Sequence, residues 1–333
     1  MSGTTIAVTQ PVHIARARNV ATSTARAVGL PRPSVDRVAL AASELASNLV
    51  KYALDGLFSA EVQPAGLDLL ATDRGPGIRR VDECLRDGYS STGTLGTGLG
   101  AIRRLADRFD ICSRLQQGTT VLARWHVAQP EPLGVRLGAA EYTSPGETVS
   151  GDAWAVAETG GVTTLGISDG LGHGPGAAAA SAAAMAQVCA GAAGSPDQVL
   201  AAMDADMGGT RGATVAVAQF DLARQRLRFS GIGNIAARLY GGGGAMGETL
   251  VSMPGIVGKR PRQMRRHEPL VRPWSATSML VLHTDGIAGR WNPADWPGVL
   301  RHDPATVAGW LLGQHARRRD DACVVVIAGG DTS

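Results

Sequence analysis

The stretch Ser168-Asp169-Gly170-Leu171-Gly172-His173-Gly174 sets a carboxylate among three glycines at the end of an apolar run. Three more aspartates stand at expected turns or strand ends far apart in the chain, at Asp152, Asp285 and Asp320. Carboxylates that pack together repel one another and resist ionisation unless cations lie between them. Mg²⁺ and Mn²⁺ prefer such oxygen ligands, and a pair of these ions can activate water against a phosphate ester. The pattern predicts a metal-dependent phosphatase.

The composition indicates two domains with small-residue cores. The 333 residues suit two domains of roughly 100–200 residues each. Hydrophobic residues make up 44% and aromatic residues 4%, so the cores must consist of Ala, Val, Leu and Ile. A net charge of +3 gives no reason to expect nucleic acid or membrane as a partner. The alanine-rich residues 176–194 indicate a packed helix rather than a membrane span.

The cysteines and the N-terminal residues indicate a cytoplasmic protein. The four cysteines form no CxxC pair and no metal-ligand spacing: Cys84, Cys112, Cys189 and Cys323. The sequence also shows no signal-peptide pattern. We therefore expect free, buried thiols in a reducing cytoplasm.

The first part of the chain alternates helix and strand patterns. Apolar residues at spacings of three and four predict helices over 14–28 and 34–52, with Ser34 as the N-cap of the second. A strand over 67–71 runs into the turn Asp73-Arg74-Gly75-Pro76-Gly77, and the glycine-rich residues 93–100 open a further helix. That helix is predicted over 101–109, with strands over 110–114 and 119–126 after it.

A change of composition separates the second part. The Pro-containing residues 129–135 have no periodicity and predict a linker between a domain over 1–128 and a domain over 136–333. Helices are expected over 175–193 and 196–207, among strands over 153–158, 162–168, 213–221, 226–231, 236–240, 279–283 and 323–328. The fold class is therefore α/β followed by α+β with two or more sheets.

A nucleotide-site pattern lies in the first part. Glu44 and Asn48 are four residues apart and share a helix face, which by itself would favour a solvated polar pair. The glycine pairs after Asp73 and the Gly96-x-Gly98-x-Gly100 loop before a helix favour phosphate binding instead, through backbone N–H groups and a helix N-terminus. Asn48 could then hold Mg²⁺ and Glu44 could act as a general base, with the Asp73 carboxylate accepting from an adenine amine.

These motifs resemble the N, G1 and G2 boxes of the GHKL (Bergerat) ATPase fold. The motifs are Glu44-Leu-Ala-Ser-Asn48, Asp73-Arg-Gly-Pro-Gly77 and the segment from Asp87 to Gly100. Over residues 10–126 they look most like the small RsbT/RsbW-type serine kinases of bacterial partner switching. The resemblance implies an α/β sandwich that binds ATP with Mg²⁺, with Glu44 as the base, Asn48 as the Mg²⁺ ligand and Asp73 as the adenine contact. It places five glycines at the phosphates: Gly75, Gly77, Gly96, Gly98 and Gly100. It also implies that Thr120 makes a further contact near the adenine.

The aspartate motifs resemble the SpoIIE/RsbX-like branch of the PP2C metallophosphatases. Over residues 136–329 the motifs follow the family's order: Ser150-Gly-Asp152, Ser168 to Gly174, Gly212-Ala-Thr214, Gly231-Ile-Gly-Asn234, His283-Thr-Asp285-Gly286 and Asp320-Asp321-Ala. The resemblance implies an α-β-β-α sandwich with two Mg²⁺ or Mn²⁺ ions. Asp169 would bridge the ions, with two ligand pairs around it: Asp285 and Asp320, and Asp152 with the Gly170 carbonyl.

Three features of the second part each allow two interpretations. Asp320 is favoured over Asp321 as the ligand, with Asp321 beside the site or solvated. His173 either protonates the leaving serine oxygen or caps a loop. The basic residues 259–272 are either a solvated loop or a docking surface for a phosphoprotein.

Together the two resemblances imply a bifunctional regulator of bacterial stress or sigma-factor signalling. A serine kinase-like domain and a phosphoserine/phosphothreonine phosphatase would act on STAS-domain antagonists or stressosome scaffolds, with a sigma factor as a further candidate partner. One alternative makes the ATP-binding domain a regulatory module of the phosphatase. Another makes the chain a non-catalytic anti-sigma factor.

Overall fold

The computed structural model describes residues 3–85, 98–127, 133–191, 194–241, 246–259 and 268–330. Within these ranges the strands form three five-stranded sheets, one in the first part and two in the second. The predicted combination of an α/β sandwich and an α-β-β-α sandwich is confirmed. The domain limits at 128 and 136 stay a prediction.

The first part is one antiparallel sheet with helices against one face. In chain order its elements are β1 Thr4–Ala7, α1 Val12–Ala27, α2 Arg32–Tyr52, β2 Leu57–Gln63, β3 Gly66–Thr72, α3 Val81–Cys84, α4 Leu99–Leu105, β4 Arg108–Arg114 and β5 Gly118–His126. The sheet order is β1-β2-β3-β5-β4. Alanines four residues apart on α1 (Ala17, Ala21, Ala25) are buried, which lets α1 pack closely on α2 and the sheet.

Two helix ends differ from the prediction. Helix α2 begins at Arg32 with Pro31 as its N-cap, so Ser34 lies inside the first turn, where its hydroxyl accepts a hydrogen bond from Arg37. Proline in the first turn requires no backbone donor, which explains the earlier start. Helix α4 ends at Leu105 instead of 109, because the amide of Asp107 already bonds the carbonyl of Arg124 on β5.

The second part stacks two antiparallel sheets between helices. Its elements are β6 Val135–Tyr142, β7 Asp152–Thr159, β8 Val162–Gly170, α5 Pro175–Gly191, α6 Pro196–Asp206, β9 Ala213–Asp221, β10 Arg226–Ile232, β11 Ala236–Tyr240, β12 Glu248–Thr249, β13 Leu270–Pro273, β14 Met279–His283, α7 Pro304–His315 and β15 Ala322–Gly329. The sheets have the orders β13-β10-β9-β8-β7 and β12-β11-β14-β15-β6. Helices α5 and α6 cover the outer face of the first of these sheets.

Helix α7 is shared by both parts of the molecule. One side of α7 packs on β6 and β15, and the other packs on β3, β4 and β5 of the first sheet. Its residues from Pro304 to Gly313 are all buried. Leu70 and Leu122 of the first sheet belong to the same core as Trp310 and Leu311 of α7. The two parts are therefore joined through a common apolar layer.

A buried ionic network crosses this layer. Arg124 on β5 donates from Nε and Nη2 to the two carboxylate oxygens of Asp68, at 2.6 and 2.7 Å. Its Nη2 also lies 3.4 Å from Asp303, the N-cap residue of α7. Burial raises the pKa of Asp68, and the charge and hydrogen bonds of Arg124 offset only part of that shift. Arg124 thus links the first sheet to the start of α7.

The cysteines are free, as predicted, and only part of the set is buried. Cys112 and Cys323 are buried, Cys84 is half-buried and Cys189 is exposed. Cys189 lies near the end of α5, where the helix face turns to solvent, so the expectation of burial was wrong there. In the described ranges, no helix combines the length and the apolar character that a bilayer crossing requires.

Candidate functional site

The predicted adenine contact, Asp73, lies directly after β3. Its Oδ1 accepts a hydrogen bond of 2.6 Å from the amide of Gly75, which closes the turn. Gly77 has φ +68°, and a Cβ there would stand 2.1 Å from the carbonyl oxygen of Arg114. Only glycine fits that approach. Burial raises the pKa of Asp73 to about 6, against the lowering effect of the Gly75 amide.

The other predicted nucleotide residues lie on α2 and α4. Glu44 and Asn48 share the half-buried face of α2, and α2 packs against α4. Gly98 immediately precedes α4 and Gly100 is buried in its first turn. Gly96 lies outside the described residues. Helices α2 and α4 therefore lie together, and the assignment of these residues to a nucleotide site stays a prediction.

Thr120 faces away from these helices. On β5 the side chains of Val121, Ala123 and Trp125 pack with α1 and α2, so by strand alternation Thr120 lies on the opposite face. There its hydroxyl lies 3.0 Å from that of Thr72, under helix α7. Its position does not support the predicted adenine contact. The neighbouring Thr119 is on the helix side, and its carbonyl accepts from the Asp73 amide at 2.9 Å.

The predicted metal ligands gather at one end of the two stacked sheets. Asp152 at the start of β7 is the cross-strand partner of Asp169 on β8. Asp285 follows β14, and Asp320 precedes the neighbouring strand β15. Gly170 ends β8, and its amide donates to the carbonyl of Gly151 at 3.0 Å. Asp152 and Asp320, which are 168 residues apart in the sequence, therefore meet at one edge.

Two uncharged side chains orient these carboxylates. The hydroxyl of Thr284 donates to Oδ2 of Asp152 at 2.7 Å. The amide of Asn234 donates to Oδ2 of Asp285 at 2.9 Å, and its own oxygen accepts from Thr214 at 2.8 Å. The sequence motif that ends at Asn234 did not predict this role. Its place beside an Asp-Gly turn becomes visible only when β11 and β14 pair.

Asp321 has a structural position beside the site. Its two carboxylate oxygens accept from the amides of Ser144 and Gly151, each at 2.7 Å. These bonds tie the loop before Asp152 to the start of β15. Asp320 is exposed and its Oδ1 accepts from the Asp321 amide at 2.9 Å. Of the two residues, Asp320 keeps the freer carboxylate.

The carboxylates share one electrostatic environment. Burial, together with the charges of Asp285, Asp320 and Asp321, raises the pKa of Asp169 to about 7. Burial and the charge of Asp169 hold the pKa of Asp152 well above its usual range. No three acidic, histidine or cysteine side chains in the described ranges lie close enough to hold an ion as they stand. An oxygen-only set under such repulsion fits hard divalent cations, which would relieve it.

His173 stands in a turn at the rim of this cluster. Gly172 and Gly174 on either side have φ of +87° and +71°, which places the histidine at the tip. Its Nδ1 lies 2.5 Å from Oε1 of Glu147 and its side chain is largely exposed. The guanidinium of Arg211 donates to the His173 carbonyl at 3.4 Å. Glu147 had no sequence signal, because it lies in a loop without periodicity.

Comparison with known proteins separates the same two parts. The family model for Stage II sporulation protein E (SpoIIE) matches residues 159–328, which is 170 of the 333 residues. The chain belongs to the SpoIIE family. Its second part is accordingly a serine/threonine phosphatase domain of the PP2C type. A model for the histidine kinase-like ATPase domain matches residues 7–125 and covers the first part of this SpoIIE family member.

Individual relatives agree with this division of the SpoIIE family chain. The serine/threonine-protein kinase RsbT of Bacillus subtilis (strain 168) is 35% identical over 117 residues, which cover 34% of this chain and 88% of RsbT. A structure of RsbX in complex with magnesium superposes with a TM-score of 0.51 at 17% identity, over 60% of this chain and 98% of RsbX. A structure described as "The bacterial stressosome: a modular system that has been adapted to control secondary messenger signaling" matches with a TM-score of 0.51 and 26% identity, over 58% of this chain and 98% of that chain. The chain is a fusion of an RsbT-like, kinase-like ATPase domain with a SpoIIE-type phosphatase domain.

Proposed function

We propose that this chain is a partner-switching regulator that both adds and removes phosphate on serine or threonine residues of STAS-domain proteins. The observation that carries the proposal is the cluster of Asp152, Asp169, Asp285 and Asp320, in which burial and neighbouring carboxylates raise the pKa values of Asp152 and Asp169. The likeness of the first part to a serine kinase supports the second activity. The likeness to RsbT and to a stressosome structure supports STAS or stressosome proteins as the targets.

Phosphate removal would use the aspartate cluster. When bound, Mg²⁺ or Mn²⁺ would polarise the phosphate and activate a water. Asp169 would hold both ions, with Asp285 and Asp320 at one and Asp152 with the Gly170 carbonyl at the other. Thr284 and Asn234 would keep two of these carboxylates in place. With Nδ1 of His173 facing Glu147, its Nε2 is the nitrogen free to deliver a proton to the leaving serine oxygen.

Phosphate addition would use the α2 face and the Asp73 turn. Asp73 would accept from the adenine amine, and Asn48 would hold the Mg²⁺ that accompanies ATP. Gly98 and Gly100 would leave room for the phosphates at the start of α4. Glu44 would accept the proton of the target hydroxyl as that oxygen attacks the γ-phosphate.

The phosphatase activity is tested on a phosphoserine-containing STAS protein with Mn²⁺. We expect Asp169→Asn to lower the rate by at least about 100-fold, because the neutral side chain can no longer hold cations on both sides. Asp221→Asn is the matched control, since Asp221 pairs with Arg224 and Arg226 at the end of β9. Equal rates for Asp169→Asn and the parent protein would refute the phosphatase assignment of this cluster.

The kinase activity is tested with labelled ATP in the Asp169→Asn protein, so that no phosphate is erased. We expect label to accumulate on the STAS protein, and a further Glu44→Ala change to abolish it. If both proteins leave the STAS protein equally unlabelled, the kinase role is wrong.

A second candidate function makes the first domain a nucleotide-dependent regulator of the phosphatase. The shared helix α7 favours it, because that helix packs on both the ATPase sheet and the phosphatase sheet. The kinase experiment and the phosphatase rate of the parent protein together separate the two: absent labelling in Asp169→Asn and a nucleotide-dependent phosphatase rate in the parent would support the regulator alone.

A further inference from the structure

The C-terminal end of α7 is hydrogen-bonded to the turn that carries Asp73. Nε2 of Gln314 donates to the backbone oxygen of Asp73 at 2.8 Å. In the reverse direction, Arg74 donates from Nε to the carbonyl of Gly313 and from Nη2 to the carbonyl of Gln314, both at 3.0 Å. The last carbonyls of a helix have no partner within the helix, so Arg74 satisfies two of them from the other domain.

Two glycines hold α7 tightly against the strands beneath the Asp73 turn. A Cβ at Gly313 would lie 2.1 Å from Oγ1 of Thr72, the last residue of β3. A Cβ at Gly309, one turn earlier, would lie 3.1 Å from Cγ2 of Thr120. Because there is no gap between helix and strand, a shift of the Asp73 turn cannot be absorbed without moving the end of α7.

The chain after α7 is in turn bonded to the metal loop of the phosphatase. The amide of Ala288 donates to the carbonyl of His315 at 2.9 Å, and the amide of Arg317 donates to the carbonyl of Gly286 at 2.8 Å. Gly286 directly follows Asp285. A Cβ at Gly286 would stand 1.9 Å from the carbonyl oxygen of Asp321, so this loop also lies tightly against the start of β15. A continuous set of contacts therefore runs from Asp73 to Asp285.

We propose that Arg74 and Gln314 are positioning residues through which a nucleotide bound at Asp73 changes the phosphatase rate. The proposal rests on the functions proposed above for the two sites. Nucleotide binding that shifts the Asp73 turn moves the end of α7, and the bond between Arg317 and Gly286 passes this movement to Asp285. If nucleotide changes the affinity of the phosphatase site for cations, cation binding must change nucleotide affinity by the same factor, because coupling between two binding equilibria is reciprocal.

The test uses the full-length protein, Mn²⁺ and p-nitrophenyl phosphate, with and without saturating ADP or a non-hydrolysable ATP analogue. We expect nucleotide to change the parent phosphatase rate by about 5-fold or more. Gln314→Leu removes the donor at nearly constant volume, and we expect it to bring this ratio close to one while the nucleotide-free rate stays near that of the parent. Arg74→Lys keeps the charge but loses the two-nitrogen fork, and we expect the same loss of response.

Arg108→Ala is the matched control. Its guanidinium pairs with the carboxylate of Asp303 at 2.8 Å across the domain boundary, at the N-cap of α7, which is the end of that helix opposite to the Asp73 turn. We expect this variant to keep the full nucleotide response, which shows that losing any one bond between the domains is not enough.

Three other outcomes would each contradict either the proposed function or the coupling. A parent protein without phosphatase activity contradicts the proposed function, and the coupling falls with it. A parent protein that hydrolyses the substrate and binds nucleotide, but whose rate is the same with and without it, overturns the coupling alone. A full response in Gln314→Leu also overturns it, and if that variant does not fold, the response of Arg74→Lys decides.

Discussion

Asp169 stands among three other carboxylates at the open end of the two phosphatase sheets. Burial and those charges raise its pKa to about 7, far above the value of about 3.9 for an unfolded chain. The folded, metal-free protein therefore binds a proton here that the unfolded chain releases at lower pH. Stability from this proton is present at acidic pH and is lost as the pH rises through about 7.

This shift predicts the effect of Asp169→Asn on metal-free protein. In EDTA we expect the variant to be more stable than the parent by about 1–3 kcal/mol at pH 8, because the neutral amide removes the repulsion. The difference should shrink towards pH 5. Thermal unfolding at the two pH values measures it. The pKa of Asp221 is lowered by hydrogen bonding from Arg224, so Asp221→Asn should not stabilise; a parallel gain in both variants would contradict the account.

The sequence motifs predicted which residues lie together at the phosphatase site, but they did not predict the hydrogen bonds that position each side chain. Asp169 and Asp152 are cross-strand partners because β7 and β8 form a hairpin, which the pattern supports. The motif named Thr120 as a contact near the adenine, but it carries no information on which face of β5 that residue occupies. Glu147, the partner of His173, lies in a loop, where the spacing of apolar residues predicts no structure.

Among the elements, α7 was not predicted, although it joins the two domains. Helices α1 and α2 show an apolar stripe, which is why the spacing of their residues revealed them. Helix α7 is buried on both sides by two sheets, so its sequence is apolar all round and has no helical period to detect. The other elements that were not predicted are strands β1, β2, β6, β12 and β13 and the short helix α3.

The close packing of α7 gives a prediction for Gly313→Ala. Its added methyl would stand 2.1 Å from Oγ1 of Thr72, and we expect a loss of about 1–3 kcal/mol in the free energy of unfolding. Urea unfolding measures this loss. Gly208→Ala is the control, because nothing lies within 4 Å of a Cβ there. Equal stability of the two variants would show that α7 has room to move against β3.

At the scale of the whole molecule, the two domains share a core and a buried ionic network. The sequence showed two motif sets and a linker pattern, but nothing in it indicated that the open face of the ATPase sheet would lie on the phosphatase helix. Such packing depends on two surfaces that meet only after both domains have formed. We therefore expect the metal-free chain to unfold in a single cooperative transition.

Arg124→Met tests the network that joins the domains. The change leaves Asp68 buried without its cation and Asp303 with only Arg108, at an expected cost of about 3–5 kcal/mol. Differential scanning calorimetry should show a lower unfolding temperature. Arg108 also pairs with Asp303 but is half-exposed, so Arg108→Met should cost much less. Similar losses for both variants would contradict a dominant role of the buried pair.

The central claim is that Asp152, Asp169, Asp285 and Asp320 form the cation site of the phosphatase. Titration of the full-length chain with Mn²⁺ at pH 7.5, followed by the electron paramagnetic resonance signal of the free ion, tests it most directly. The account predicts two tightly bound ions in the parent and in Asp221→Asn, and loss of tight binding in Asp169→Asn. Binding by Asp169→Asn equal to that of the parent would contradict it.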